Sequence, residues 1–201
     1  MRRPPVLALA LLSLLPLMPA IADAAAPAAR LFDPVPDADR AFGTAWRAQA
    51  CALLPQPCDP EGLSLLREQG AQRADAFVLL ATRPLARAEL RRTADGWVLE
   101  ALRDFSGYQP RTAEPQRRAA LSLARDLYPL GEGRWAVAVL LSVSESYSGG
   151  GAGFQRADFV PLDGAIGEVP ASRADIPFFC AKTVRACFSE KEYRTSPHCH
   201  D

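Results

Sequence analysis

The residues with the plainest chemical capacity lie at the C-terminus and in one glycine-rich stretch. His198-Cys199-His200-Asp201 sets two imidazoles two residues apart, so on an extended segment both point the same way and offer two metal ligands. A structural zinc site takes four ligands and a catalytic site three from the protein, so Cys180, Cys187 or Asp201 has to complete the set. These are also the only histidines of the chain. Any Ser/His/Asp arrangement must therefore bring one of them to Ser144, Ser146 or Ser148 and orient it through a third group. Glu145 and Asp158 form a candidate carboxylate pair across a hairpin, a description that an ordinary surface hairpin also satisfies. Nothing in the sequence supplies a nucleophile, a base and an oxyanion hole together. The expectation is a non-enzymatic binding or structural domain. The alternative is a small hydrolase or metal-dependent enzyme using His198 and His200.

The second stretch is Ser146, Tyr147, Ser148, Gly149, Gly150, Gly151, followed by Ala152 and Gly153. It reads as a low-bulk loop between two strands, with glycine accepting turn angles at no steric cost. Exposed backbone N–H groups and serine hydroxyls on such a loop can meet a protein or small-molecule partner, and rigid strands make good supports for a binding loop. No strand–GxxxxGK[ST]–helix arrangement is present, so this is not a nucleotide-binding loop. A G-x-S-x-G nucleophile elbow is also missing. No cofactor is expected. Ser148-Gly149 resembles the Ser-Gly loop that periplasmic lysozyme inhibitors present from a β scaffold; the likeness covers a few residues and not the wider pattern of those families.

The cysteines set the compartment and the cross-links. Arg2 and Arg3, the apolar run Val6 to Met18 and the A-x-A site Ala22-Asp23-Ala24 make the three regions of a secretory signal, predicted to be cleaved after residue 24. That run is shorter than the ~20 residues of a spanning helix, so no stable membrane span is expected after cleavage. A periplasmic or secreted protein follows, in which Cys51, Cys58, Cys180, Cys187 and Cys199 are candidates for disulfides before metal ligation. Five cysteines leave one unpaired, and the sequence does not choose the pairs. Without residues 1–24 the chain keeps 21 basic and 22 acidic side chains, since Arg2, Arg3 and Asp23 leave the totals of 23 and 23. That balance excludes an electrostatic case for nucleic acid or an anionic membrane surface.

The elements that hold these residues read as follows. Residues 25–36 carry three prolines without a periodic face and are expected to form a disordered lead-in. Phe42, Trp46, Ala50 and Leu53 or Leu54 recur at helical spacing, which predicts a helix from Asp37 or Asp39 to Leu53, stopped by Pro55 and Pro57. A second helix is predicted over 61–69, ending at Gly70. Strands follow over 76–82, 85–92 and 97–105, with Asp95-Gly96 as the hairpin turn between the last two. Residues 119–128 fit either period, with the short turn at 129–133 tipping them towards strand. From Arg134, Trp135, Val137, Val139, Leu141 and Val143 share one parity while small residues fill the other, the pattern of a central strand. Ser189-x-x-Glu192 predicts a short helix over 190–194. Trp46, Trp97 and Trp135 fall at periodic apolar positions and belong in a core. The expected fold class is α+β, with one domain over 37–201. Two N-terminal helices pack on an antiparallel sheet of about five or six strands in a cystatin-like or similar meander, or the strands close a small β-barrel. A disulfide-bearing C-terminal arm, 178–201, completes it.

Overall fold

Residues whose side chains alternate between two faces build most of the described part of this chain as strands. The computed structural model describes residues 27–110, 119–147, 150–167, 169, 171–184 and 189–195. Strands β1 (Phe32–Pro34), β2 (Leu63–Glu68), β3 (Ala76–Thr82), β4 (Leu85–Thr93) and β5 (Gly96–Asp104) form one antiparallel sheet in chain order. Strands β6 (Ala119–Gly131), β7 (Arg134–Tyr147), β8 (Gly150–Pro161) and β9 (Ile176–Val184) form a second, also in chain order. Neither sheet closes into a barrel. The helices α1 (Ala38–Phe42), α2 (Trp46–Cys51) and α3 (Glu190–Thr195) are at most six residues long.

The protein is thus mainly β, which overturns the α+β expectation of a single sheet under two full helices and the barrel alternative with it. The predicted first helix is split, because Gly43 leaves the helical region at φ 78° between α1 and α2. The predicted second helix is a 3-10 turn, Pro60–Gly62, running straight into β2. In the structure Leu63 and Leu65 face the helices while Leu66 faces the other sheet. Pairing with β3 from Leu63↔Ala81 to Leu66↔Val78, and with β1 on the other flank, outweighs the helix preference of leucine, glutamate and arginine.

The three layers enclose two cores. Between the short helices and the first sheet lie Trp46, Ala50 and Leu54 against Leu65, Phe77, Leu79 and Trp97. Phe42, Phe77 and Trp97 meet edge-to-face with centroids 5.1–5.4 Å apart. Helices this short do not persist on propensity alone, so this packing and the Cys51–Cys58 disulfide hold them. Between the sheets lie Phe32, Leu66, Val78 and Leu85 against Leu127, Val137, Val139 and Val160, with Phe105 and Tyr108 from the segment after β5.

The joint between the sheets is a bulge in β6. Register passes from Leu123↔Val139 to Leu127↔Val137, four steps of β6 against two of β7. The surplus residues turn their polar groups to the first sheet. Leu127 exchanges backbone hydrogen bonds with Arg30 at 2.9 and 3.0 Å. The Asp126 carboxylate accepts from the Phe32 N–H at 2.9 Å, and the Arg125 carbonyl accepts from Arg87 at 3.2 Å. The lead-in, expected without order, therefore contributes an edge strand from residue 32, with Phe32 buried in the joint.

Elsewhere the strands fall close to their predicted places. β3 spans Ala76–Thr82, and residues 119–128 are strand. The turn after β6 is Glu132-Gly133, both at positive φ (54° and 74°). The predicted Asp95-Gly96 turn is displaced by one: Thr93 pairs with Gly96, so Ala94 and Asp95 occupy the turn and Gly96 opens β5 at φ 143°. The C-terminal arm carries an unpredicted strand, β9, and then α3, which covers the helix predicted over 190–194.

Candidate functional site

Three strands of the second sheet run on past its joint with the first. The β6–β7 pairing begins at Ala119↔Val143, and beyond Val143 the described partners of β7 are in β8 alone. There Ser144 faces Gly153, Glu145 faces Ala152, Ser146 faces Gly151 and Tyr147 faces Gly150. β8 in turn pairs with β9 from Gly150↔Val184 to Phe154↔Cys180. The result is a three-stranded arm whose Ser144, Glu145 and Ser146 are exposed.

This arrangement corrects the eight-residue loop expected at 146–153. Ser146, Tyr147, Gly150 and Gly151 are strand residues, and residues 148 and 149 alone separate Tyr147 from Gly150. Ser148 and Gly149 lie outside the described residues. Glycine was read as a turn former, but here it lies inside a strand where close backbone approach leaves little room. A Cβ on Gly151 would sit 3.1 Å from the Glu145 carbonyl oxygen. Strand alternation places Ser144 and Ser146 beside Gly153, Gly151 and Ala181 on one face, a flat patch of small groups that ends at Ser142, Gln155 and the Phe179 ring. The opposite face carries Glu145, Ala152, Phe154, Cys180 and Lys182.

The arm also bears aromatic side chains that sequence reasoning did not single out. Phe154, Phe178 and Phe179 are 44%, 41% and 55% exposed and make three of the five exposed large apolar residues described. Register jumps from Gln155↔Phe179 to Arg156↔Pro177, so Phe178 is the extra residue of a bulge. Its ring stands edge-on to Tyr128 at 6.3 Å, and Tyr128 stands edge-on to Phe159 at 4.9 Å. One signal was present in the sequence: Pro177-Phe178-Phe179-Cys180-Ala181 is an apolar run with no helical stripe, which fits a strand.

The proposed Glu145–Asp158 pair does not form. Glu145 faces Ala152 whereas Asp158 faces Val139, six register positions away. Asp158 is buried at the base of the arm, where its carboxylate accepts from the Tyr108 hydroxyl and from the Asp175 N–H. Asp175 also receives Arg156 at 3.2 Å. These bonds satisfy a buried carboxylate and tie the entry of β9 to the inter-sheet core, which is a structural role.

Two further recesses lie on the first sheet. One, of about 190 Å³, is lined by Arg30, Phe32, Glu68, Arg73, Glu89 and Glu100 among others. Arg30 grips Glu68 through two hydrogen bonds of 2.6 and 2.7 Å. That hydrogen-bonded pairing holds the Glu68 carboxyl below the usual carboxylate range and raises the Arg30 guanidinium. Behind them Arg87 is buried over the Phe32 ring at 4.6 Å, its Nε and Nη2 without partners. Burial pushes its pKa down to about 10. The other recess is an open cleft of about 610 Å³ beside α1, α2 and β2, where the Trp46 indole N–H donates to Asp39 at 2.6 Å.

Of the candidate cysteines, Cys51 and Cys58 form a disulfide against the helix-side core. Cys180 is a free, exposed thiol on β9. Cys187, Cys199, His198 and His200 lie outside the described residues. Among the described residues no group of three or more His, Cys, Asp or Glu side chains is placed to hold a metal, and no helix is long and apolar enough to cross a membrane. Comparisons of the chain with protein-family models, with curated proteins and with solved structures gave no match.

Proposed function

We propose that this chain is an exported, non-enzymatic binding protein that meets its partner with the free end of the β7–β8–β9 arm. The observation that carries this reading is the arm itself: paired strands extend past the two-sheet core and expose Phe154. Exposed apolar surface that folding does not use is characteristic of interaction sites, and aromatic groups are enriched in them. The serines and glycines on the other face of the arm add hydroxyls and accessible backbone at little steric cost. The basic, apolar and A-x-A segments of residues 1–24 support export, to the periplasm or outside the cell.

The test uses the purified chain as bait for periplasmic and secreted extracts. Phe154→Asp, and separately deletion of Gly149 to Gly151, should lower capture of the bound protein about tenfold or more, a loss of ~1.4 kcal/mol. Val98→Asp, an equally exposed apolar site on the first sheet, serves as control and should change nothing. Equal capture by all variants with unchanged melting temperatures refutes the arm as the binding surface.

A further inference from the structure

A second surface on the same sheet has a different character. β9 is the terminal strand of the order β6-β7-β8-β9, and its outer flank meets no strand among the described residues. Pro177 through Lys182 are all exposed. Edge strands are normally protected by bulges, prolines and charges, because their unpaired N–H and C=O groups template pairing with another chain. Here the proline and the bulge, Pro177 and Phe178, sit together at the start of the strand. From Phe179 to Val184 the edge is regular and carries one charge, Lys182. The opposite edge strand, β6, is engaged by Arg30 at the inter-sheet joint, so β9 is the open side of this sheet.

We propose that two copies of the chain join antiparallel along their β9 edges about a two-fold axis at Cys180, forming one continuous eight-stranded sheet. This is independent of what the end of the arm binds. The axis position follows from side-chain complementarity. Antiparallel pairing centred on Cys180 sets Phe179 opposite Ala181 of the second copy, and the same pair recurs on the other side of the axis. A large ring then meets a small side chain on each side of the axis. The two Lys182 groups are four positions apart, about 13 Å along the strand, beyond the ~8 Å screening length at physiological salt. Centring on Lys182 would put like charges directly opposite, which is unfavourable. An isologous contact of this kind closes after two copies and does not propagate.

The buried area sets the strength. The exposed parts of Phe178 and Phe179 add up to about one ring per copy, so the four rings supply roughly 400 Å². Even with the paired backbones added, the interface stays near or below the ~1,200 Å² of standard stable complexes. A reversible, concentration-dependent dimer follows, with dissociation in the micromolar range.

Sedimentation velocity on the purified chain, in reductant, from about 1 to 300 µM reads this directly. The expected result is a monomer–dimer transition within that range. Phe179→Lys and Ala181→Lys, both at exposed positions, should each leave a monomer throughout while keeping the wild-type melting temperature. In a Cys187→Ser/Cys199→Ser background a short bis-maleimide should link two chains, and adding Cys180→Ser or Phe179→Lys should abolish the link. A wild-type chain that remains monomeric at ~300 µM overturns the proposal, even if the edge accepts a strand from another protein. A dimer that survives both β9 substitutions overturns it equally.

Discussion

Replacing Arg87 tests whether its buried charge holds the two sheets together or is merely tolerated. Arg87 is 3% exposed, reaches the Arg125 carbonyl with Nη1 and leaves Nε and Nη2 without partners. Burial lowers its pKa to about 10, which corresponds to ~3 kcal/mol held against the cation in the folded state. The sign follows from linkage. Below pH ~10 the unfolded and folded chains both carry the proton and the whole penalty is present. Above pH ~10 the folded chain sheds it before the unfolded chain does, so the penalty fades as pH rises. Against it stand the contact with the Phe32 ring, ~2 kcal/mol for a desolvated pair, and one charge-assisted hydrogen bond of ~1.5–3 kcal/mol. The opposing effects nearly cancel. Arg87→Met keeps much of the stem volume and removes two unsatisfied donors, so its stability by urea unfolding should lie within ~1 kcal/mol of wild type. Arg87→Ala removes the stem as well and should fall ~2–3 kcal/mol below the methionine variant. If both variants lose more than ~3 kcal/mol, the guanidinium is a required bridge between the sheets and this reasoning is wrong.

Two further predictions concern the helix-side layer. Removing the Cys51–Cys58 bond with a double serine substitution frees a loop of about eight residues and should cost ~2.5 kcal/mol in urea unfolding; a loss under ~0.5 kcal/mol would show that packing alone fixes α2. A methyl group on Gly62 would sit 2.2 Å from the Thr82 hydroxyl oxygen, so Gly62→Ala should destabilise by ~1–3 kcal/mol. Adding Thr82→Ala removes that atom and leaves the residue 82 Cβ at 3.5 Å, an ordinary van der Waals contact, so the double variant should recover most of the loss; equal instability of single and double variants counts against the clash.

The strands that sequence reasoning placed well are those whose pattern is local. Ala76–Thr82 is a continuous apolar run, and the parity of Trp135, Val137 and Val139 survives as the face that fills the inter-sheet core. The failures share a non-local cause. β2 has the composition of a helix and becomes a strand because β1 and β3 flank it. Phe32 is anchored by Asp126, ninety-four residues away, which no window over residues 25–36 contains. The glycine stretch misled in the opposite sense, since β8 is held in strand by partners on both sides and glycine only permits it. Of the candidate site, the position of the hairpin was legible. Its exposed phenylalanines were not, because exposure is set by where β6 and the first sheet end.

The unbroken ladder between β7 and β8 limits how this arm can change in length over evolution. The two strands pair step for step from Ala136↔Pro161 to Tyr147↔Gly150. A matched insertion, one residue in each strand, lengthens the reach by ~3.3 Å and leaves every side chain nearer the core on its own face. A single unmatched insertion moves the serines of one face onto the other unless a bulge absorbs it. Relatives of this chain should therefore vary the arm in matched steps, or carry a new bulge where they do not.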